Sequence, residues 1–292
     1  MKMNAYVAGV GMTRFGKHLD MGLKAIGAGA INDAIEDSGM DKKDIQAAWV
    51  GNAAAGLVTG QECIRGQVVL RNVGIGQIPI INVENACASS STAFNQACAM
   101  VTGGLYDVVL AVGVEKLYDV DKRKSFAAFS GAVDVEALAE IMENLKKNAE
   151  NSGAKKASGG AGENRSMFMD IYASAARAHM AAYGTTVEQF AGVSAKNSFH
   201  GSMNNRAQFT EALTVEDVLA SPMITEPLTR PMCSPIGDGA AAVVIVSEAK
   251  KKELGLNNAV RVLSSALHSG WDREAGEAGV AEFATELAYS ET

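Results

Sequence analysis

From Ala88 to Thr102 the chain carries no charged residue, is built mostly of Ala, Ser, Cys and other small types, and stops at Gly103-Gly104. A helix on a protein surface shows one charged or polar face; a helix without one is covered on all sides. Two apolar runs bracket this stretch: Ile78-Pro79-Ile80-Ile81-Asn82-Val83 before it, and Asp107-Val108-Val109-Leu110-Ala111-Val112-Gly113 after it. Both have the length and composition of buried strands. A strand, a buried helix and a second strand predict a layered α/β fold with a mostly parallel sheet. Upstream, residues 5–11 read as a strand. Leu23, Ile26, Ile31, Ala34 and Ile35 recur at helical spacing up to Ser38-Gly39, and Ala47–Gly51 reads as another strand.

Cys87 stands where the first apolar run meets the helix, and Ser89, Ser90 and Ser91 suit a helix start. A thiol there faces unpaired backbone N–H groups and the positive end of the helix dipole, both of which favour the nucleophilic thiolate. The competing reading is a small buried cysteine at a strand end. Cys98, eleven residues on, reads as packing, and Cys63 has no chemical neighbours in sequence. Cys233 lies in a Pro-flanked loop. No Cys-x-x-Cys pair occurs, so the spacing predicts neither a zinc site nor a disulfide framework.

After Glu115 the pattern changes. Val135, Leu138, Met142 and Leu145 mark an amphipathic helix, and a Gly- and Ser-rich stretch, 151–162, reads as an exposed loop. A helix over 167–183 closes at Gly184, and Thr185-x-x-Glu188 and Thr214-x-x-Asp217 read as capping boxes. The next core strand is Ala240–Val246, with Asp238-Gly239 as the turn into it. Residues 119–235 are therefore expected to form an inserted, mainly helical subdomain. Asn4-Ala5-Tyr6-Val7 is echoed by Asn258-Ala259-Val260-Arg261-Val262, and a Glu-rich helix is expected over about 273–287.

Four segments, in order, resemble the thiolase superfamily. They are Asn4–Thr13, the nucleophile segment Asn82–Ser90, Asn204-Asn205-Arg206-Ala207-Gln208-Phe209 and Asp238-Gly239-Ala240-Ala241-Ala242-Val243-Val244. The third, with Ser221-Pro222-Met223, is similar to the sterol-carrier-protein branch. The resemblance implies a layered αβαβα fold made of two similar halves. The first half would comprise 1–118 and 236–257, interrupted by the insert at 119–235, which would cover coenzyme A. A second half would start at 258–292 and be incomplete here, leaving the strand Val260–Leu263 without sheet neighbours. The activity implied is that of an acyl-CoA thiolase acting on a 3-oxoacyl-CoA, including bulky or aromatic ones such as an aromatic acylsuccinyl-CoA. Cys87 would be the acyl-accepting nucleophile, with its own N–H as an oxyanion donor, and Ser234 would touch the pantetheine arm. Coenzyme A is then substrate or product, with no bound cofactor or metal. A homodimer joined through strand 78–84 and a small OB-fold partner with a zinc ribbon are further implications. A non-catalytic thiolase-like subunit and a ketoacyl-synthase-like condensing enzyme are the alternatives. The histidine and second cysteine that the family uses as acid and base have no counterpart, and neither His18, His179, His200 nor His268 is tied by spacing to Cys87.

A formal charge of −7 argues against a nucleic-acid partner. No apolar run reaches the roughly 20 residues of a membrane span, and the first residues lack a signal-peptide pattern. A reduced, cytoplasmic protein is the expectation.

Overall fold

Strand β1 (Lys2–Met12) runs inside a six-stranded sheet together with β2 (Ala47–Gly51), β3 (Ile80–Val83), β4 (Val108–Glu115), β7 (Gly239–Val246) and β8 (Val260–Ser264), in the order β3-β2-β4-β7-β1-β8. The computed structural model describes residues 2–151, 165–271 and 277–292. It divides into two compact units, Met1–Val120 with Asp238–Thr292, and Asp121–Gly237.

In the first unit, β2, β3 and β4 are parallel to one another, as the β-α-β reading requires. The sheet as a whole is mixed, which corrects the expectation of a mostly parallel one. β7 returns to lie between β4 and β1 and runs antiparallel to both, and β8 is antiparallel to β1. The two echoing segments near Asn4 and Asn258 are thus adjacent strands, pairing Ala5 with Val262 and Val7 with Val260. β8 therefore has a sheet neighbour, contrary to expectation, and leaves only its outer edge open.

Both faces of this sheet are covered, and strict alternation sorts the side chains. Ala48, Val50, Leu110, Val112, Val244 and Val246 pack with α1 (Leu23–Ser38) and with the helix that follows α2 (Ala55–Thr59), namely α3 (Arg65–Asn72). Trp49, Val109, Ala111 and Ile245 point the other way, onto Ala93, Ala97, Cys98 and Val101 of α4 (Ser89–Thr102). The continuous apolar runs of β2 and β4 follow from that two-sided burial.

Helix α4 is not buried all round. Ser89, Thr92, Ala93, Ala97, Cys98 and Val101 form its buried face, while Ser90 and Ser91 are exposed and Phe94, Asn95 and Gln96 half-buried. Small residues fit it against the sheet; on its outer side Asn95 Nδ2 donates to the Ser265 carbonyl and hydroxyl at 3.1 and 2.9 Å.

The second unit holds α5 (Lys122–Ser130), α6 (Leu138–Asn151), α7 (Met167–Tyr183), α8 (Val187–Ser202), α9 (Val215–Ala220) and a short hairpin of β5 (Met223–Thr225) and β6 (Leu228–Thr229) that the sequence reading did not anticipate. Among the described residues its buried apolar side chains are few: Ala128, Ala173, Ala191, Val218, Ile224 and Leu228. The cap of α8 is Thr186 with Gln189, one residue later than expected, because Thr186 adopts the extended conformation and exchanges both capping bonds with Gln189. Thr214 and Asp217 cap α9 as expected. Of the loop expected at 151–162, Asn151 is the last residue of α6 and the rest lies outside the described residues. Back in the first unit, α10 (Glu248–Glu253) precedes β8, and α11 (Val280–Ser290) lies later than the helix expected at 273–287, since its start is set at Gly279, whose N–H meets the Glu282 carboxylate.

Candidate active site

The carboxyl ends of β2, β3 and β4 lie side by side, with Val83 beside Gly51 and Gly51 beside Gly113. Open α/β sheets place their ligands beyond such ends. The first turn of α4 rests here on two glycines. A Cβ on Gly51 would come within 2.7 Å of the Ser89 carbonyl carbon and Ser90 Cα, and one on Gly113 within 2.7 Å of Ser90 Cβ. Only a flat glycine pair lets the helix start come this close.

Cys87 occupies a single 3-10 turn, Ala86–Ala88, immediately before α4, and is exposed. The turn is bound tightly. Ala86 lies in the left-handed region with φ 43°, a conformation disfavoured for a residue with a Cβ. Its N–H donates to Glu84 Oε1 at 2.6 Å. Ala88 N–H donates to the Asn85 carbonyl at 2.8 Å. The Ser89 hydroxyl accepts from Asn85 N–H at 2.9 Å and donates to the Ala86 carbonyl at 2.8 Å. Asn85 Nδ2 donates to Thr92 Oγ1 at 2.9 Å, one turn up α4. These supporting residues were not singled out from the sequence; Ser89 was read only as a helix starter, and the polar pair Glu84-Asn85 ahead of the cysteine was the available signal.

The other cysteines are placed differently. Cys98 is fully buried beneath α4, and burial pushes its thiol up to about 12. Cys233 is half-buried and also raised by burial, with its thiol against the Thr229 carbonyl at 3.5 Å. Cys63 is exposed. Ser234 is exposed and follows Cys233 in the second unit, whereas Cys87 belongs to the first. His18 bonds the Arg14 carbonyl, His179 stacks near Tyr183 and Phe190, and His268 lies against Phe283. Among the described residues no group of three or more His, Cys, Asp or Glu could hold a metal ion, and no helix is long and apolar enough to cross a membrane.

Two further carboxylates organise the surroundings. Glu115, at the end of β4, accepts from Asn52 Nδ2 and from the N–H groups of Ala53 and Ala54 at 2.9–3.2 Å. Asp238 is fully buried, which corrects its reading as a simple turn residue. Its carboxylate accepts from Leu117 and Tyr118 N–H at 2.8 and 2.7 Å, from His18 N–H at 3.1 Å, and from Lys116 Nζ at 2.6 Å. It thereby ties together the N-terminal loop, the exit of β4 and the entry to β7.

A model of the thiolase N-terminal domain matches residues 5–249. The chain belongs to the thiolase N-terminal domain family. It is 36% identical over 264 residues to an acetyl-CoA acetyltransferase of Methanothermobacter thermautotrophicus, a match covering 90% of this chain and 62% of that protein. It is 32% identical over 272 residues to the benzoylsuccinyl-CoA thiolase subunit BbsB of Thauera aromatica, covering 92% and 62%. The chain thus spans about 62% of the length of these relatives. Among solved structures, the Ltp2-ChsH2(DUF35) aldolase superposes with a TM-score of 0.66 at 23% identity, over 92% of this chain and 62% of that one. Acetyl-CoA acetyltransferase from Syntrophomonas wolfei gives 0.57 at 18%, over 87% and 67%. These two likenesses establish the thiolase-like fold, as the sequence motifs led one to expect.

Proposed function

We propose that this thiolase-family chain takes part in acyl transfer to and from coenzyme A, with Cys87 as the acyl acceptor. The observation that carries this is the exposed thiol held on a strained turn at the start of α4, beyond the ends of three parallel strands. In the step proposed, Cys87 Sγ attacks the thioester carbonyl of an acyl-CoA, the carbon–sulfur bond to coenzyme A breaks, and the departing thiolate takes up a proton. In thiolysis of a 3-oxoacyl-CoA the same Sγ attacks the 3-oxo carbonyl, the C2–C3 bond breaks and C2 takes up a proton to leave as acetyl-CoA. The acyl group then passes from Cys87 to the sulfur of an incoming coenzyme A as a shortened acyl-CoA. Coenzyme A is a substrate in this scheme, and the helical unit Asp121–Gly237, with Ser234 near its end, is proposed to cover its pantetheine arm. The relative named for benzoylsuccinyl-CoA supports a bulky or aromatic acyl chain. The likeness to the Ltp2-ChsH2(DUF35) aldolase supports looking for a small partner subunit.

The test is incubation of the purified chain with acetyl-CoA and with an aromatic acyl-CoA, followed by mass spectrometry of the peptide containing Cys87. An acyl adduct on Cys87, absent from Cys87→Ser, is the expected result. No adduct with any acyl-CoA would instead favour a binding or assembly subunit.

A further inference from the structure

We infer that Glu84 is a positioning residue for Cys87: its carboxylate holds Ala86 in the left-handed conformation that aims the nucleophile. The inference rests on the reading of Cys87 as acyl acceptor. Ala86 is the residue before the nucleophile, so its backbone dihedrals set the direction in which the chain leaves β3 and presents the thiol. At φ 43° its Cβ is crowded against the backbone, and such a conformation persists only where neighbours enforce it. The remaining bonds of the turn go elsewhere: Asn85 and Ser89 secure the carbonyl side of Ala86 and the first turn of α4. The amide of Ala86 is held by Glu84 Oε1 at 2.6 Å. Glu84 itself is exposed, so it adds little to the core, and its loss should change the turn and leave the sheet standing. What Ala86 requires from position 84 is an acceptor, and a carboxylate and a carboxamide both supply one.

Three variants of the full chain separate this role from a merely structural or electrostatic one. Glu84→Ala is expected to slow acyl-adduct formation on Cys87 about tenfold, the scale of a modest misplacement of a reacting group, with the acyl-CoA concentration at half-maximal rate unchanged. Glu84→Gln keeps the acceptor without the charge and is expected to rescue the rate. Glu84→Ala combined with Ala86→Gly is expected to recover it too, because glycine adopts φ near 43° without being held there. Equal losses in Glu84→Ala and Glu84→Gln, no recovery with Ala86→Gly, or no change in Glu84→Ala would each overturn the proposal. Alkylation by iodoacetamide is followed in parallel, using exposed Cys63 as the internal reference. If the parent chain forms no acyl adduct, the acyl-transfer reading fails and the Cys87-to-Cys63 alkylation ratio alone decides on Glu84. A ratio that falls in Glu84→Ala and returns with Ala86→Gly supports positioning, and an unmoved ratio refutes it.

Discussion

Cys98 sits eleven residues beyond Cys87 on the same uncharged stretch, yet it packs among Ala93, Ala97 and Trp49 with its thiol pushed up to about 12. A thiol with that value is protonated at pH 8, whereas an ordinary one is partly ionised there. Native-state alkylation at pH 8 is therefore expected to modify Cys63 and Cys87 and to spare Cys98 until the chain is unfolded in urea; labelling of Cys98 at a comparable rate would contradict its burial. Cys87→Ser is expected to abolish the acyl adduct while leaving the circular dichroism spectrum and melting temperature essentially unchanged, since one exposed sulfur is replaced by oxygen. The sequence singled out Cys87 because an apolar strand running into an uncharged helix is a pattern visible in one dimension. It did not reveal what holds the turn, because the φ of Ala86 and the bond to Glu84 arise only once the strand end and helix start are fixed in space. The role of Asp238 was hidden for a similar reason: its partners at 18 and 116–118 are more than a hundred positions away.

Strand and helix positions were legible wherever one periodicity dominated. β1, α1, β2, α4, β4, α7 and β7 all follow from apolar runs or helical spacing, with glycine or capping signals at their ends. The mixed direction of the sheet was not legible, because the β-α-β pattern speaks only for consecutive strands and says nothing of where β7 inserts after the helical unit. Three positions carry sharp stability predictions. Gly113→Ala is expected to destabilise the chain by about 1–3 kcal/mol by driving a methyl group into Ser90, measured by urea unfolding, and to displace the start of α4 enough to lower acylation of Cys87. Leu110→Ala, in the fully buried centre of β4, is expected to cost about 2–5 kcal/mol through lost burial and a residual cavity. Asp238→Ala is expected to cost about 3–5 kcal/mol, because Lys116, which is itself buried, would keep its charge without its partner. Unfolding midpoints in Asp238→Ala close to those of the parent would show that the clamp joining the N-terminal loop to β4 is dispensable.

For the molecule as a whole, β3 forms one margin of the six-stranded sheet, with Ile80 and Ile81 only half covered. An edge of this kind offers unpaired backbone groups to a second strand, and we propose that pairing with its counterpart in another copy makes the homodimer that the family resemblance implies. Light scattering is expected to give twice the monomer mass at micromolar concentration, and a charged substitution at Ile81 is expected to shift it toward monomer; a stable monomer in the parent would set the idea aside. The position of β7 has a different consequence, which concerns time. β1 and β4 are both bonded to β7 and not to each other, so the middle of the sheet stays vacant until the chain has been synthesised through Val246. Until then the early strands present two inward-facing apolar edges, and the long closure between Thr13 and Ala240 must be completed before either is covered. Synthesis order thus makes the sheet a late event, and a nascent chain stalled within the helical unit would be a client for chaperones however sound its first hundred residues are.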